Sequence, residues 1–115
     1  MELMEICKTN DLNEGEMKKV IAGDMDVLIA RIKGEFFAVE NKCPHMGGDL
    51  SKGTLEGSVI TCPLHHSQFD LTTGQVILWT DFTGLKASIS KLFKSPRPLK
   101  TYQVIIEGDQ VLLKI

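Results

Sequence analysis

Read by the spacing of its apolar and polar residues, the chain gives mostly strand-length signals. Residues 25–32 form an apolar run, and Lys33-Gly34 turns it into residues 35–39, so the pair reads as a hairpin. A second hairpin closes the chain: residues 102–106, a turn at Glu107-Gly108-Asp109-Gln110, then residues 111–115. Shorter strands are predicted over 58–61, 68–71 and 75–78, and residues 3–8 are strand-like as well. Several short strands joined by glycine-bearing turns predict an all-β sandwich or barrel. One segment departs from this pattern. Over residues 83–95, Leu85, Ile89, Leu92 and Phe93 fall at i, i+4, i+7 and i+8, one face of a helix. Asp81 or Thr83 can cap its start, and Ser95-Pro96 ends it, because a residue before proline avoids the helical region. With Trp79 and Phe82 beside it, such a helix is either a lid over the sandwich or an interface for a partner.

The length of 115 residues fits one domain spanning residues 1–115, with enough chain for a core and little to spare. No apolar run approaches the roughly 20 residues that cross a bilayer. The start, Met1-Glu2-Leu3-Met4-Glu5, is acidic and lacks the basic and apolar regions of a signal peptide, so the cytoplasm is the expected location. A net charge of −2 argues against nucleic acid as a partner. The charge is unevenly placed, however. Residues 1–57 carry eleven acids and seven bases, whereas residues 82–100 carry Lys86, Lys91, Lys94, Arg97 and Lys100 and no acid. That local basic surface is either a solvated helix face or a docking face around Lys86, Lys91 and Lys94.

Three cysteines narrow the chemistry. An odd number without a framework argues against disulfides and fits a reducing compartment. Cys7, alone in the apolar stretch 3–8, reads as a small core residue. The other two belong to paired motifs. Cys43-Pro44-His45 is C-x-H, and after sixteen intervening residues Cys62-Pro63-Leu64-His65 is C-x-x-H. Each motif follows a predicted strand, which fixes the loop ends, and Gly47-Gly48 and Gly53 let the first loop turn tightly. Two thiolates and two imidazoles suit a structural zinc site, but zinc sites usually pair cysteine with cysteine and histidine with histidine. Here each loop is mixed. In a two-iron cluster with inequivalent irons, one iron takes both cysteines and the other both histidines, so each loop reaches both irons.

This layout resembles the Rieske [2Fe–2S] family. The likeness extends from Cys43-Pro44-His45-Met46-Gly47-Gly48 and Cys62-Pro63-Leu64-His65 to Phe69-Asp70, Thr73-Gly74-Gln75-Val76 and Arg97-Pro98-Leu99-Lys100-Thr101-Tyr102. It implies a β-sandwich with a cluster-binding subdomain over residues 41–78, one [2Fe–2S] cluster per chain, and Cys43, His45, Cys62 and His65 as the ligands. Two Fe³⁺, two S²⁻ and two thiolates sum to zero with neutral histidines, so the electron enters a neutral centre. Rieske potentials accordingly lie higher, about −150 to +300 mV against about −400 mV for plant-type ferredoxins.

High-potential members of the family share a disulfide between the two loops, a serine two positions after the second histidine and a tyrosine two positions further on. Here Gly48 and Leu64 occupy the disulfide positions, Ser67 the serine position and Phe69 the tyrosine position, which implies a low potential. The resemblance also implies a third, proline-bearing loop beside the cluster, for which Arg97-Pro98 matches best, with Pro96 as a rival. His66 stands where the family usually has glycine, either as an exposed loop residue or as a proton acceptor or partner contact.

The chain shows no nucleotide-phosphate loop, and with two of three histidines used it has no spare triad for a catalytic iron. The resemblance thus implies a ferredoxin rather than an enzyme: a one-electron shuttle between a reductase and a terminal oxygenase. The small subunit of an assimilatory nitrite reductase is the alternative within the family, and a structural zinc module the alternative outside it. A reddish-brown protein with a rhombic EPR signal on reduction excludes zinc.

Overall fold

The computed structural model describes residues 3–44, 47–63, 66–78 and 98–114. The helix expected over 83–95, with Lys86, Lys91 and Lys94, lies outside these residues, as do His45, Leu64 and His65.

Among the described residues, ten strands form two antiparallel sheets. The larger contains β1 (Leu3–Lys8), β2 (Met17–Ala22), β3 (Met25–Ile32), β4 (Glu35–Glu40), β9 (Thr101–Glu107) and β10 (Gln110–Lys114), in the order β1-β10-β9-β4-β3-β2. The smaller contains β5 (Thr54–Glu56), β6 (Val59–Thr61), β7 (Gln68–Asp70) and β8 (Val76–Leu78) in sequence order. The all-β expectation holds, and both hairpins form where the sequence places them.

The unbroken apolar run 27–30 within β3 has a simple cause: the strand is a wall shared by two cores. Successive side chains point to opposite faces of a sheet. On one face Val27 and Ile29 meet Cys7, Leu12, Ala22, Ala38, Val111 and Leu113. On the other, Leu28, Ala30 and Ile32 meet Val39, Leu50, Ile60, Phe69, Leu71, Leu99 and the two motif cysteines. Because both faces are covered, the alternation that marks a half-buried strand disappears. Cys7 is buried in the first of these cores, as expected.

The β3–β4 turn places both Lys33 (φ 53°) and Gly34 (φ 78°) in the left-handed region, the geometry that matches the twist of a two-residue hairpin. Its two N–H groups point outward and are bound by one carboxylate: Lys33 N–H donates to Glu14 Oε2 (2.6 Å) and Gly34 N–H to Glu14 Oε1 (2.8 Å). These bonds, Gly34 first, hold the Glu14 carboxyl below its ordinary value of 4.5. A depressed folded-state pKa stabilises the fold above the unfolded value and loses that stabilisation as pH falls through the folded value. The stability gap between wild type and Glu14→Gln is therefore expected to be present at about pH 6 and to shrink at about pH 3, as read by urea unfolding at each pH.

Two strands carry little sequence signal. In β2, Lys18, Lys19 and Ile21 are all exposed, so no clean alternation marks it; it is an edge strand whose one sheet neighbour among the described residues is β3. β5 is three residues long, too short to show a period. It exists because the segment before it closes against β6, as described next.

Candidate metal centre

Strand β4 leads to Cys43 and β6 leads directly to Cys62. The two loops that follow, 43–48 and 62–67, are closed in the same way. Cys43 N–H donates to the Gly48 carbonyl (2.9 Å), and the Cys43 carbonyl accepts from Gly47 N–H (2.7 Å). Cys62 N–H donates to the Ser67 carbonyl (2.8 Å), and the Cys62 carbonyl accepts from His66 N–H (3.1 Å). Each loop is thus six residues long, starts Cys-Pro, and folds its fifth and sixth residues back onto the cysteine.

The equivalence explains His66. It is the counterpart of Gly47, and both are left-handed, with φ 60° and 74°. Glycine adopts that conformation freely; histidine is among the few other residues that populate it with some frequency. The backbone of His66 closes the loop while its side chain is exposed. Aligning the loops on their cysteines was the sequence signal that could have shown this.

Cys43 and Cys62 are each only 1% exposed and lie in one core with Leu50, Ile60, Phe69, Leu71 and Leu99. Neither is part of a disulfide. Ser67 and Phe69 are fully buried beside them. Pro98 is exposed, but its neighbour Leu99 is buried in the cysteine core. Leu99 N–H donates to the Gly74 carbonyl (2.7 Å), and Lys100 N–H to Glu40 Oε2 (2.7 Å), so residues 98–100 are pinned between the β7–β8 turn and the end of β4. Gly74 is needed there: it has φ 81°, and a Cβ on it would lie 2.5 Å from the Leu99 carbonyl oxygen.

Gly53 serves its turn in a different way from Gly47: its φ is −86°, outside the left-handed region. Its hydrogen instead faces the neighbouring strand: a Cβ would lie 1.9 Å from the Thr61 carbonyl oxygen. Glycine lets the segment leaving the first loop press against the residue before Cys62.

Sequence reasoning missed a buried amide at the base of the first loop. Asn41, 1% exposed, donates Nδ2 to Asp49 Oδ1 (2.7 Å) and accepts at Oδ1 from Ser51 N–H (2.8 Å). Asp49 Oδ1 also accepts from the Ser51 hydroxyl (2.5 Å), the main reason its carboxyl sits below the ordinary carboxylate range. The signal was the Asp49-x-Ser51 spacing, a side-chain-to-backbone turn directly after Gly47-Gly48.

Among the described residues, no three His, Cys, Asp or Glu side chains gather to hold a metal. Two buried cysteines on two equivalently closed loops nonetheless face one core, and the sequence expectation adds an imidazole from each loop. The sequence profile of the Rieske [2Fe-2S] domain matches residues 2–102. The chain belongs to the Rieske [2Fe–2S] family. A Rieske domain carries one [2Fe–2S] cluster per chain, and the paired cysteine loops fit that group in donor chemistry and burial.

Similar proteins cover this Rieske chain nearly end to end. The ferredoxin component of biphenyl 2,3-dioxygenase from Rhodococcus jostii (strain RHA1) is 35% identical over 115 residues, 100% of this chain and 94% of the relative. The ferredoxin of Sphingomonas yanoikuyae B1 superposes with a TM-score of 0.78 at 27% identity, covering 99% of each chain. A chain from the complex of reduced oxygenase and oxidised ferredoxin of carbazole 1,9a-dioxygenase superposes with a TM-score of 0.76 at 27% identity, covering 96% of this chain and 91% of the other.

Proposed function

We propose that this protein is a low-potential one-electron carrier that takes electrons from a reductase and delivers them to a terminal oxygenase. In this reading Cys43, His45, Cys62 and His65 hold the cluster. Ser67, Gly47, Leu64 and Pro98 form its immediate surroundings, within a subdomain spanning residues 41–78 of a single domain, 1–115. The observation that carries it is the pair of loops closed by the same two hydrogen bonds, each presenting a buried cysteine to one apolar core. The likeness of the whole chain to a dioxygenase ferredoxin component supports the carrier role and the two partners. A carrier does no chemistry on a substrate, so the chain is an electron-transfer component and not itself an enzyme. Among the described residues no helix is long and apolar enough to cross a membrane, which is compatible with the cytoplasmic location expected from the N-terminal sequence.

When bound, the cluster takes up and releases one electron. The chain's own part is to hold it and to set its surroundings. Cys43 and Cys62 supply thiolates from buried positions, and Leu50, Ile60, Phe69, Leu71 and Leu99 supply an apolar wall. Hydrogen bonds to the sulfurs stabilise the more negative reduced form and raise the potential. Phe69 is buried in that wall and has no hydroxyl to donate. Gly48 and Leu64 cannot cross-link the loops. A redox titration of the purified protein is therefore expected to give a midpoint below about 0 mV, and Phe69→Tyr to raise it. A midpoint well above that value in the wild type rejects the low-potential reading. Stopped-flow oxidation of the reduced protein by a ring-hydroxylating oxygenase tests the carrier role; no transfer under turnover conditions rejects it.

A further inference from the structure

The two cluster loops are closed alike at their cysteines but held differently at their bases. The second leaves and rejoins a ladder, with Thr61 opposite Gln68, Ile60 opposite Phe69 and Val59 opposite Asp70. The first has a single isolated bridge, Lys42 opposite Asp49.

Side chains replace the missing ladder. Asn41 lies two residues before Cys43. Its backbone N–H donates to the Asp26 carbonyl (2.9 Å), which ties the loop to β3. Its Nδ2 reaches Asp49 Oδ1 (2.7 Å) and Asp26 Oδ1 (3.3 Å), while Oδ1 accepts from Ser51 N–H (2.8 Å). Asp49 Oδ1 accepts further from Ser51 N–H (3.0 Å) and from its hydroxyl (2.5 Å). Lys19, from β2, stands 3.6 Å from Asp26 Oδ2 and 3.7 Å from Asp49 Oδ2, placing a cation between the two carboxylates. Strand β3 and both ends of the first loop therefore meet at one buried amide, and β2 joins them through Lys19 and the two carboxylates. Aspartate at position 41 could not donate and would bring a third carboxylate to the group; leucine could neither donate nor accept. A buried polar group with its partners satisfied orders its surroundings, and one left unsatisfied is costly.

We infer that Asn41 is a positioning residue for the cluster: with Asp49 it keeps the two ends of loop 43–48 in register, and cluster retention depends on that register. The inference rests on the reading of Cys43 and His45 as ligands. It is tested on the cluster-loaded protein with Asn41→Ala, Asp49→Ala and Asp49→Asn, using iron release to excess EDTA, the EPR spectrum after reduction, and the urea midpoint. Asn41→Ala and Asp49→Ala are expected to release iron about 10-fold faster than wild type and to shift or broaden the EPR lines. Asp49→Asn keeps an oxygen that can accept from Asn41 and Ser51 and is expected to restore near wild-type release. Lowered urea midpoints with wild-type release rates and EPR lines would mean that Asn41 supports only the fold, and the inference fails. Should Asn41→Ala not fold, equal release from Asp49→Ala and Asp49→Asn overturns it. A wild-type protein that binds no iron overturns the ligand reading itself, and this inference with it.

Discussion

Alanine at His65 is expected to abolish the visible and EPR spectrum of the cluster, whereas glycine at His66 leaves both intact. The two residues are adjacent, but their proposed duties are unrelated. In the proposed reading His65 supplies an imidazole to iron, and its loss removes one of four ligands. His66 supplies a left-handed backbone position, with φ 60°, whose N–H closes the loop on the Cys62 carbonyl. Glycine adopts that conformation without the steric cost of a Cβ, so His66→Gly is expected to stabilise the protein by about 0.5–1 kcal/mol. His66→Val is expected to destabilise it, because a β-branched residue is an outlier at positive φ. Absorbance and EPR of the purified variants, with urea unfolding alongside, decide the matter. Retention of the spectrum in His65→Ala with loss in His66→Gly would move the ligand to residue 66.

The second large effect is expected at Gly53. A methyl group there would sit 1.9 Å from the Thr61 carbonyl oxygen, a backbone atom that cannot rotate away. Relief requires β5 and β6 to separate, and β6 ends one residue before Cys62. Overpacking of this kind costs about 1–3 kcal/mol, occasionally more, and Gly53→Ala is expected at the upper end. Gly57→Ala is the control. Its position is left-handed, with φ 59°, but nothing lies within 4 Å of an added Cβ, so only the conformational cost of about 1 kcal/mol applies. Equal urea midpoints for the two variants would show that the close approach at Gly53 is not tight.

Much of the fold was legible because local signals were strong. Lys33-Gly34 and Gly108-Asp109 name their hairpins, and the run 27–30 is too apolar to be anything but interior. The strands that escaped, β2 and β5, are an edge strand with exposed lysines and a three-residue strand created by a contact with Thr61. Neither has a period to read. The glycines divide in the same way. Gly47 is left-handed, as a turn residue should be, whereas Gly53 serves a neighbour that lies eight residues away in sequence and in contact in space.

For the site, sequence alone determined the chemistry: two mixed cysteine–histidine loops, Phe69 in place of a hydroxyl, and Gly48 and Leu64 where no cross-link can form. These are properties of side-chain type and spacing, which any fold must carry. Tertiary structure decided what holds the loops. That His66 matches Gly47, that Gly53 faces a carbonyl, and that Asn41 joins Asp26, Asp49 and Ser51 are all statements about groups distant in sequence. Hydrogen bonds and steric contacts act over a few ångströms, so they exist only once the chain has folded those groups together.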